Sequence, residues 1–325
     1  MPPLVSLDDV LAARGRIAGR LHRTPMLGSR TLSERAGVEV AFKAELFQRT
    51  GSFKPRGVLN KLATLSDEEK RRGVISISAG NHAQALAYAA AVEGIDALVV
   101  MWETASPMKI AAARGYGATI DTEAPDIPAA FERLDALIAE TGRTLVHPYD
   151  DPVVMAGQGT VGLEIVEDLP EVDVVLVQVG GGGLVSGIAT AVKGLRPAAR
   201  VVAIEPELSA ALHESLKAGE PVTVEARSLA DGLNGPYAGA NCVEICGALG
   251  VESVLVTEED LKEGFRFMYG RMKLACEAAG AATAAALLAG KVELEPGSKV
   301  AAVISGGNVA AETVAAILPP GRTSK

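Results

Sequence analysis

The chain has 325 residues, a length that can bury a large core and favours two domains or one large and one small domain. Hydrophobic residues make up 48% of it and charged residues 22%, which is typical of a globular protein. The net charge of −9 and the lack of a basic run exclude nucleic acid as the expected partner. No apolar stretch reaches the roughly 18 residues of a membrane-spanning helix, so we expect no membrane association.

The N-terminal residues 1–20 are amphipathic, carry acids near their start and do not resemble a signal peptide. The cysteines form no disulfide framework, and Cys242 and Cys246 are predicted to be small buried residues on one helical face. We therefore expect a reducing cytoplasm. The four histidines have no zinc-binding spacing and predict no metal site: His22, His82, His147 and His213.

Residues 50–57 (TGSFKPRG) place Lys54 between Phe53 and Pro55, after a glycine turn and before a predicted helix. An apolar neighbour and a proline without an N–H are unusual around a solvated surface lysine. A lysine in a partly apolar pocket loses solvation of its ammonium, so its pKa falls below about 10.4 and its amine can act as nucleophile and base. The segment is a candidate for Schiff-base chemistry, although loop lysines before prolines are also common.

Strands and helices alternate between residues 73 and 147. Apolar runs of strand length are separated by longer stretches with helical periodicity. The predicted elements are strands at 73–77, 97–101, 119–120 and 144–146 and helices at 81–92, 106–116 and 128–140. Together they form a compact β/α unit.

The same alternation returns on a larger scale, with predicted strands at 173–179, 200–204 and 299–304 and a helix that ends near residue 194. It predicts parallel sheets with ligand sites at the carboxyl ends of the strands. The predicted fold class is therefore α/β, with two parallel-type sheet domains flanked by helices. Residues 73–147 are predicted to be a small domain inserted into a large domain formed by residues 1–72 and 148–325.

A run of glycines, residues 180–183, follows a predicted strand and opens a helix. Consecutive glycines let backbone N–H groups converge on an anion, and the helix N-terminus adds its dipole, so a phosphate is the natural ligand. A tight strand-to-helix turn is the alternative, but four glycines cost much chain entropy for a turn alone. The spacing Gly181-x-Gly183-x-x-x-Gly187, with Glu205 ending the next strand, also fits a nicotinamide-dinucleotide site, although this match is weakly specific.

Two further strand-to-helix segments carry polar groups. Residues 78–82 (SAGNH) offer N–H groups suited to a carboxylate and the side-chain amide of Asn81, whereas His82 is better interpreted as a helix-start or core histidine than as a catalytic group. Residues 305–308 (SGGN) place the Ser305 hydroxyl where it can donate to a ring nitrogen. A dehydrogenase explains the glycine run alone, whereas a cofactor with a phosphate, an aldehyde and a pyridine nitrogen explains all of these segments together.

These motifs, in this order, resemble the fold-type II pyridoxal-phosphate enzymes, which have the tryptophan synthase β-like fold, and in particular the serine/threonine dehydratase (threonine ammonia-lyase) branch. The resemblance covers nearly the whole chain. In the cysteine-synthase branch, threonine rather than histidine would normally follow Asn81. The segments that carry the resemblance are 23–26 (RTPM), 48–57 (QRTGSFKPRG), 78–90 (SAGNHAQALAYAA), 156–160 (AGQGT), 180–183 (GGGG) and 305–308 (SGGN).

The resemblance implies that Lys54 holds pyridoxal 5′-phosphate as a Schiff base and removes the Cα proton of the substrate. It also implies that Phe53 lines one side of the cofactor ring, that Asn81 hydrogen-bonds the ring hydroxyl and that Ser305 faces the pyridine nitrogen. The implied phosphate cradle is Gly180, Gly181, Gly182, Gly183 and Leu184. The implied site for the substrate carboxylate is the N–H groups of Ser78, Ala79, Gly80, Asn81 and His82.

The implied function is dehydration and deamination of L-threonine and L-serine to 2-oxobutanoate or pyruvate and ammonia, in a cytoplasmic homodimer or homotetramer. The alternatives are a dehydratase of another 3-hydroxy amino acid, a serine racemase, and a non-enzymatic pyridoxal-phosphate-binding or storage homologue. The chain ends soon after residue 308, so we expect no regulatory domain that binds isoleucine.

The chain departs from the family pattern at several positions. Racemases of this branch carry a serine where this chain has Ala79, so racemisation is not favoured. Relatives that bind a divalent cation have an acidic residue six positions after the glutamate that matches Glu205, but this chain has Ala211. The family usually has a proline and a small hydroxyl residue after the glutamate that matches Glu277, where this chain has two alanines, so the substrate preference stays open.

Overall fold

The computed structural model describes residues 4–105 and 107–318 as an α/β protein with two sheets. The strands are β1 (Met26–Gly28), β2 (Glu39–Ala44), β3 (Val74–Ile77), β4 (Ala97–Trp102), β5 (Thr119–Ala124), β6 (Thr144–Leu145), β7 (Val174–Gln178), β8 (Arg200–Pro206), β9 (Glu252–Val256) and β10 (Lys299–Ile304). The α-helices are α1 (Leu7–Ile17), α2 (Arg30–Ala36), α3 (Pro55–Ala63), α4 (Asp67–Arg72), α5 (Asn81–Glu93), α6 (Pro107–Gly115), α7 (Ile127–Thr141), α8 (Pro152–Asp168), α9 (Gly183–Leu195), α10 (Ala211–Ala218), α11 (Ala240–Ala248), α12 (Glu258–Phe267), α13 (Ala282–Leu288) and α14 (Ala311–Ile317).

The larger sheet has the strand order β1-β2-β10-β7-β8-β9, and the smaller sheet has the order β5-β4-β3-β6. All neighbouring strands are parallel except β1 and β2, which pair antiparallel at one edge. The prediction of an α/β fold with parallel-type sheets is therefore confirmed. Each strand predicted between residues 73 and 304 has a counterpart, and the bounds agree within two residues except for β5, which extends to Ala124 where the prediction ended at residue 120. Strands β1, β2 and β9 were not predicted. The first residue of the helix predicted at 106–116 lies outside the described residues.

Glycines let the helices α3, α8 and α9 pack with their backbones in close contact. A Cβ added to Gly157 in α8 would lie 2.5 Å from the carbonyl oxygen of Arg56, next to the start of α3. A Cβ added to Gly187 in α9 would lie 2.2 Å from the carbonyl oxygen of Met155 in α8. Such distances leave no room for a side chain, so the AGQGT segment acts as a packing surface for α3 and α9.

A buried ionic cluster anchors the first turn of α3. The Arg56 guanidinium, 1% exposed, donates to Glu45 at 2.7 and 2.8 Å and to Glu164 at 2.7 and 3.0 Å. The fully buried Lys43 ammonium lies 2.7 Å from Glu164. Paired carboxylates and bidentate geometry offset the cost of burying these charges. Because Lys54 directly precedes α3, this cluster fixes the backbone that carries Lys54.

Among the described residues, no helix is long and apolar enough to cross a membrane. Cys242 and Cys246 are buried in α11, as their spacing predicted, and together with Cys276 they are free thiols.

Candidate active site

Four segments meet at the carboxyl ends of β3, β7 and β10. They are residues 50–57, the turn 78–82, the glycine run 180–183 and residues 305–308. The backbone joins two of them directly, because the Phe53 N–H donates to the Ser305 carbonyl at 3.1 Å and Ser52 forms an isolated β-bridge with Gly306. The structure thus brings together motifs that are about 250 residues apart in the sequence.

Lys54 lies at the start of α3, where Pro55 occupies the first turn. Its Nζ donates to the Pro148 carbonyl at 2.7 Å and lies 5.2 Å from the centroid of the Phe53 ring. Burial lowers the pKa of Lys54 from 10.5 to about 8, and the negative charge of Glu277 partly opposes this effect. A substantial fraction of the amine is therefore neutral near pH 8, as a nucleophile or base requires.

The segment 147–150 links Lys54 to the glycine run. Pro148 accepts the lysine hydrogen bond, and the next residue, Tyr149, packs on the glycines. A Cβ added to Gly181 would lie 2.3 Å from the Tyr149 ring, and one added to Gly183 would lie 2.7 Å from the Tyr149 carbonyl oxygen. The absence of side chains in the run therefore lets Tyr149 approach the backbone closely.

The glycine run leads into the N-terminus of α9. Gly182 has φ +94°, a conformation that favours glycine, and Gly183 is the first residue of the helix. No acceptor among residues 4–105 and 107–318 pairs with the N–H groups of Gly180, Gly181 and Gly182. These donors and the first N–H groups of α9, including that of Leu184, can bind an anion.

The turn 78–82 retains a smaller set of free N–H groups than the sequence suggested. The Ser78 N–H donates to the Val100 carbonyl at 3.2 Å, and the Gly80 N–H donates to the Ser78 hydroxyl at 3.1 Å. The N–H groups of Ala79, Asn81 and His82 have no acceptor among the described residues, so they remain for a carboxylate; Asn81 and His82 are the first two residues of α5.

His82 is a buried, neutral side chain. Its Nε2 lies 3.0 Å from the Val146 carbonyl and 3.0 Å from the Ser76 hydroxyl. Burial lowers the pKa of His82 to about 3, and the charge of Lys54 adds to this effect. Since Nε2 is the donor to the carbonyl, Nδ1 is the acceptor nitrogen, and it has no partner among the described residues.

Ser305, at the end of β10, is held by Gln178 at the end of β7. With the Gln178 amide oxygen facing Ser305, that oxygen accepts from the Ser305 N–H at 2.8 Å and from its hydroxyl at 2.7 Å. The Gln178 Nε2 then donates to the Val303 carbonyl at 3.2 Å. The Ser305 hydroxyl is therefore in a fixed position at the base of the site.

Asn81 is hydrogen-bonded to two side chains on the other side of the site. Its Nδ2 donates to Glu277 Oε1 at 2.8 Å, and its Oδ1 accepts from Asn308 Nδ2 at 2.8 Å. Burial, together with repulsion from Asp231, raises the pKa of Glu277 to about 7. Lys109 in α6 forms an ion pair with Asp231 at 2.5 Å, so a second polar contact joins the residues around the smaller sheet to this region.

The arrangement fits pyridoxal phosphate on structural grounds. Three buried polar atoms near Lys54 have no partner among the described residues: Thr50 Oγ1, Ser52 Oγ and His82 Nδ1. A buried polar atom without a hydrogen-bond partner destabilises the folded protein. Such atoms therefore indicate a place where a bound ligand supplies the missing partner. The free N–H groups of the glycine run suit a phosphate, and the Lys54 amine suits an aldehyde.

A metal centre has no comparable support. In residues 4–105 and 107–318, no group of three or more His, Cys, Asp or Glu side chains could hold a metal ion. The Glu205 carboxylate instead accepts from the Leu212 N–H at 2.8 Å and the His213 N–H at 2.7 Å, so it caps α10.

Sequence reasoning missed four residues of the site. From the sequence, Glu277 is named only because the residues after it depart from the family pattern, and Asn308 is included only as the last residue of the SGGN segment. Neither side chain is assigned a role there. Pro148 and Gln178 were not identified, and nothing in their local sequence distinguishes them. The one available signal was Asn308, because it follows two glycines at a strand end, where polar side chains often face a ligand.

Comparison with known proteins gives concordant results. The catabolic L-threonine dehydratase TdcB of Escherichia coli is 42% identical over 94% of this chain and 93% of its own length. The solved structure of T.th. threonine deaminase has a TM-score of 0.88 and 42% identity over 94% of this chain and 99% of that one. The structure of maize serine racemase has a TM-score of 0.92 and 34% identity, with 96% of each chain covered.

The family model described as "Pyridoxal-phosphate dependent enzyme" matches residues 17–306. This match covers most of the chain and includes Lys54, the glycine run and the Ser305 position. The chain therefore belongs to the family of pyridoxal-phosphate-dependent enzymes.

Proposed function

We propose that this protein is a threonine/serine ammonia-lyase that converts L-threonine to 2-oxobutanoate and ammonia, and L-serine to pyruvate and ammonia. The observation that carries the proposal is the Lys54 amine, which is buried where the four segments of the site meet and whose pKa is lowered to about 8. The names of the relatives at 42% identity support the choice of substrate class.

The chain's own residues supply binding and proton transfer. The Lys54 amine would hold the cofactor aldehyde, and as a free amine it would accept the Cα proton of the substrate. The glycine run and Leu184 would hold the phosphate, Phe53 would line the ring, and Ser305 would be the partner of the ring nitrogen. Pyridoxal phosphate, when bound, supplies the conjugated system that withdraws electrons from Cα. The remaining contacts are those of the substrate carboxylate with the free N–H groups of the turn 78–82.

The overall reaction needs no oxidant. Loss of the Cα proton and of the β-hydroxyl as water leaves an enamine, and its hydrolysis releases ammonia and the 2-oxo acid. The proton that Lys54 accepts is the one removed from Cα, so the rate of this step depends on how closely Nζ is placed to the Cα hydrogen.

Three alternatives stay in view. Dehydration of a bulkier 3-hydroxy amino acid uses the same groups, and a protein that stores pyridoxal phosphate uses the same binding site without turnover. A serine racemase is favoured by the likeness to the maize structure. It is disfavoured by Ala79, because a methyl group cannot transfer a proton to the face of the substrate opposite Lys54.

The test is the release of 2-oxo acid and ammonia from purified, cofactor-loaded protein given L-threonine, L-serine and D-serine separately, with Lys54→Ala as the control. We expect 2-oxobutanoate from L-threonine with the wild type, none with Lys54→Ala, and no D-serine from L-serine. Cofactor-loaded protein that releases no 2-oxo acid refutes the ammonia-lyase. Formation of D-serine identifies a racemase.

The domain organisation, the cellular location and the oligomeric state belong to the same proposal. The sheets support a small domain at residues 73–147 and a large domain formed by residues 1–72 and 148–325, since β3 to β6 form one sheet and the other strands form the second. The free cysteines support a reducing cytoplasm. We further propose a homodimer or homotetramer, which light scattering coupled to size-exclusion chromatography measures.

A further inference from the structure

We propose that Glu277 and Asn308 are positioning residues that fix the orientation of the Asn81 side-chain amide, which leaves one Asn81 N–H for an acceptor in the cofactor site. The inference deepens the proposed function and rests on it, since it assumes that Asn81 contacts the cofactor. Three hydrogen-bonded side chains and two glycines carry it.

Asn308 sets the direction of the hydrogen bonds. Its Nδ2 donates to the Thr50 carbonyl at 2.7 Å and to Asn81 Oδ1 at 2.8 Å. A backbone carbonyl can only accept, so the Asn308 amide must present nitrogen rather than oxygen to Thr50. Both hydrogens of its Nδ2 are thus used, and the group opposite it on Asn81 must be the oxygen.

Glu277 completes the arrangement on the other side of Asn81. Because Asn81 presents Oδ1 to Asn308, its Nδ2 faces Glu277 Oε1 at 2.8 Å. Above about pH 7, the pKa of Glu277, its ionised carboxylate accepts and cannot donate, so this contact favours the same orientation. Glu277 uses one of the two Nδ2 hydrogens, and the second has no acceptor among the described residues. Asn81 therefore keeps one amide N–H that can donate to a ligand.

The backbone leaves space for both positioning side chains. Gly51 has φ +72°, and a Cβ there would lie 2.6 Å from Asn308 Oδ1. A Cβ added to Gly306 would lie 2.6 Å from Glu277 Oε1. Thr50, whose carbonyl accepts from Asn308, has φ +60°, which is strained for a β-branched residue. Gly51 and Gly306 thus leave room for the side chains of Asn308 and Glu277, and the strained Thr50 backbone places its carbonyl where Asn308 can donate to it.

The expected consequence is that the Asn81 amide presents a donor to an acceptor oxygen of the cofactor. The ring oxygen of pyridoxal phosphate, when ionised, accepts hydrogen bonds. If the Asn81 amide were reversed, its carbonyl oxygen would face that oxygen, and the two would repel each other. The positioning residues thus act through Asn81 on cofactor affinity and on the electronic state of the bound ring.

The experiment compares substitutions of similar size. Asn308→Asp removes both donors, Glu277→Met removes the acceptor, and Glu277→Gln keeps an acceptor oxygen without the charge. Asn81→Ala removes the group acted upon. The matched control is Asn60→Asp, since the buried Asn60 also donates through Nδ2 to a backbone carbonyl, that of Val153 at 2.7 Å, and has no bond to Asn81. The readouts are the dissociation constant for pyridoxal phosphate, the visible absorbance of the bound cofactor, and thermal unfolding without cofactor.

We expect Asn308→Asp and Glu277→Met to weaken cofactor binding at least tenfold and to shift the absorbance, with Glu277→Gln restoring both toward wild type. The double variant Asn81→Ala/Asn308→Asp should bind no more weakly than Asn81→Ala alone. Asn60→Asp should leave the affinity and the spectrum unchanged, whatever its effect on thermal stability, since Asn60 also accepts from Arg16 at 3.2 Å. If Asn308→Asp does not fold, the affinities and spectra of Glu277→Met and Glu277→Gln still test whether an acceptor at position 277 positions Asn81.

Two results overturn the inference. If Asn81→Ala weakens binding but Glu277→Met and Asn308→Asp do not, or if the effects of Asn81→Ala and Asn308→Asp simply add, the positioning role is refuted while the contact of Asn81 with the cofactor stands. If Asn81→Ala leaves affinity and absorbance unchanged, the assumed contact itself is refuted, whatever the ammonia-lyase assay reports.

Discussion

The lowered pKa of Lys54 predicts how fast the protein captures its cofactor at different pH values. The amine must lose its proton before it attacks the aldehyde, so the capture rate follows the neutral fraction of Lys54. Burial lowers the pKa from 10.5 to about 8. At pH 7 this difference raises the neutral fraction on the order of 300-fold, from about 0.03% to about 9%, since each pKa unit is a factor of ten.

The assay mixes cofactor-free protein with pyridoxal phosphate in a stopped-flow spectrometer and follows the absorbance of the covalent product between pH 6 and pH 10. We expect the rate to rise about tenfold per pH unit up to about pH 8 and then to level off. Borohydride reduction followed by mass spectrometry identifies the lysine, and Lys54→Ala should form no product.

A matched perturbation tests the cause of the shift. The charge of Glu277 raises the pKa of Lys54 against the larger effect of burial. Glu277→Gln should therefore move the midpoint of the profile to lower pH. A profile that levels off only near pH 10 would refute the claim that the pocket desolvates Lys54. A midpoint that moves upward in Glu277→Gln would refute the assigned sign.

Three further predictions concern stability and cations. Arg56→Met should lower the free energy of unfolding by about 3 to 5 kcal/mol, because it leaves the buried carboxylate of Glu45 unpaired. Gly187→Ala should lower it by about 1 to 3 kcal/mol or more, because its Cβ would lie 2.2 Å from a carbonyl oxygen. The control Gly15→Ala, in α1 with no heavy atom within 4 Å of the added Cβ, should be neutral or stabilising by up to about 1 kcal/mol. Removal of divalent cations with EDTA should leave activity unchanged, because Glu205 already accepts two backbone N–H groups.

Urea unfolding monitored by circular dichroism measures the three substitutions, and the 2-oxo acid assay measures the effect of EDTA. Equal losses in Gly187→Ala and Gly15→Ala would contradict the packing explanation. An Arg56→Met protein as stable as wild type would mean that the buried cluster contributes no net stability. Activity lost in EDTA and restored by magnesium or calcium would show that Glu205 binds a cation after all.

The sequence predicted those parts of the fold whose physical cause is local. The strands β3, β4, β7, β8 and β10 are apolar runs, and burial on both faces of a parallel sheet requires that pattern. Strand β2 was not found because it contains Lys43, whose charge is characteristic of exposed residues. In the structure, Lys43 is fully buried and paired with Glu164 at 2.7 Å. An ion pair with a residue far away in the sequence thus allows a charged residue to be buried in a strand, where its sequence neighbours alone would predict exposure.

The same limit applies to the site. The reactive amine of Lys54 and the anion-binding backbone of the glycine run could be predicted because both depend on local properties. These properties are the apolar neighbours of the lysine and the backbone freedom of the glycines. The contacts of Asn81 are different, since its partners Glu277 and Asn308 are 196 and 227 residues away. The asparagine alone cannot fix which end of its amide faces a ligand, because rotation of the side chain can turn either the donor nitrogen or the acceptor oxygen toward it. Its orientation is a property of the folded chain, decided by the Thr50 carbonyl that accepts from Asn308. The choice between donor and acceptor in the candidate site therefore depends on a backbone group that carries no sequence signal.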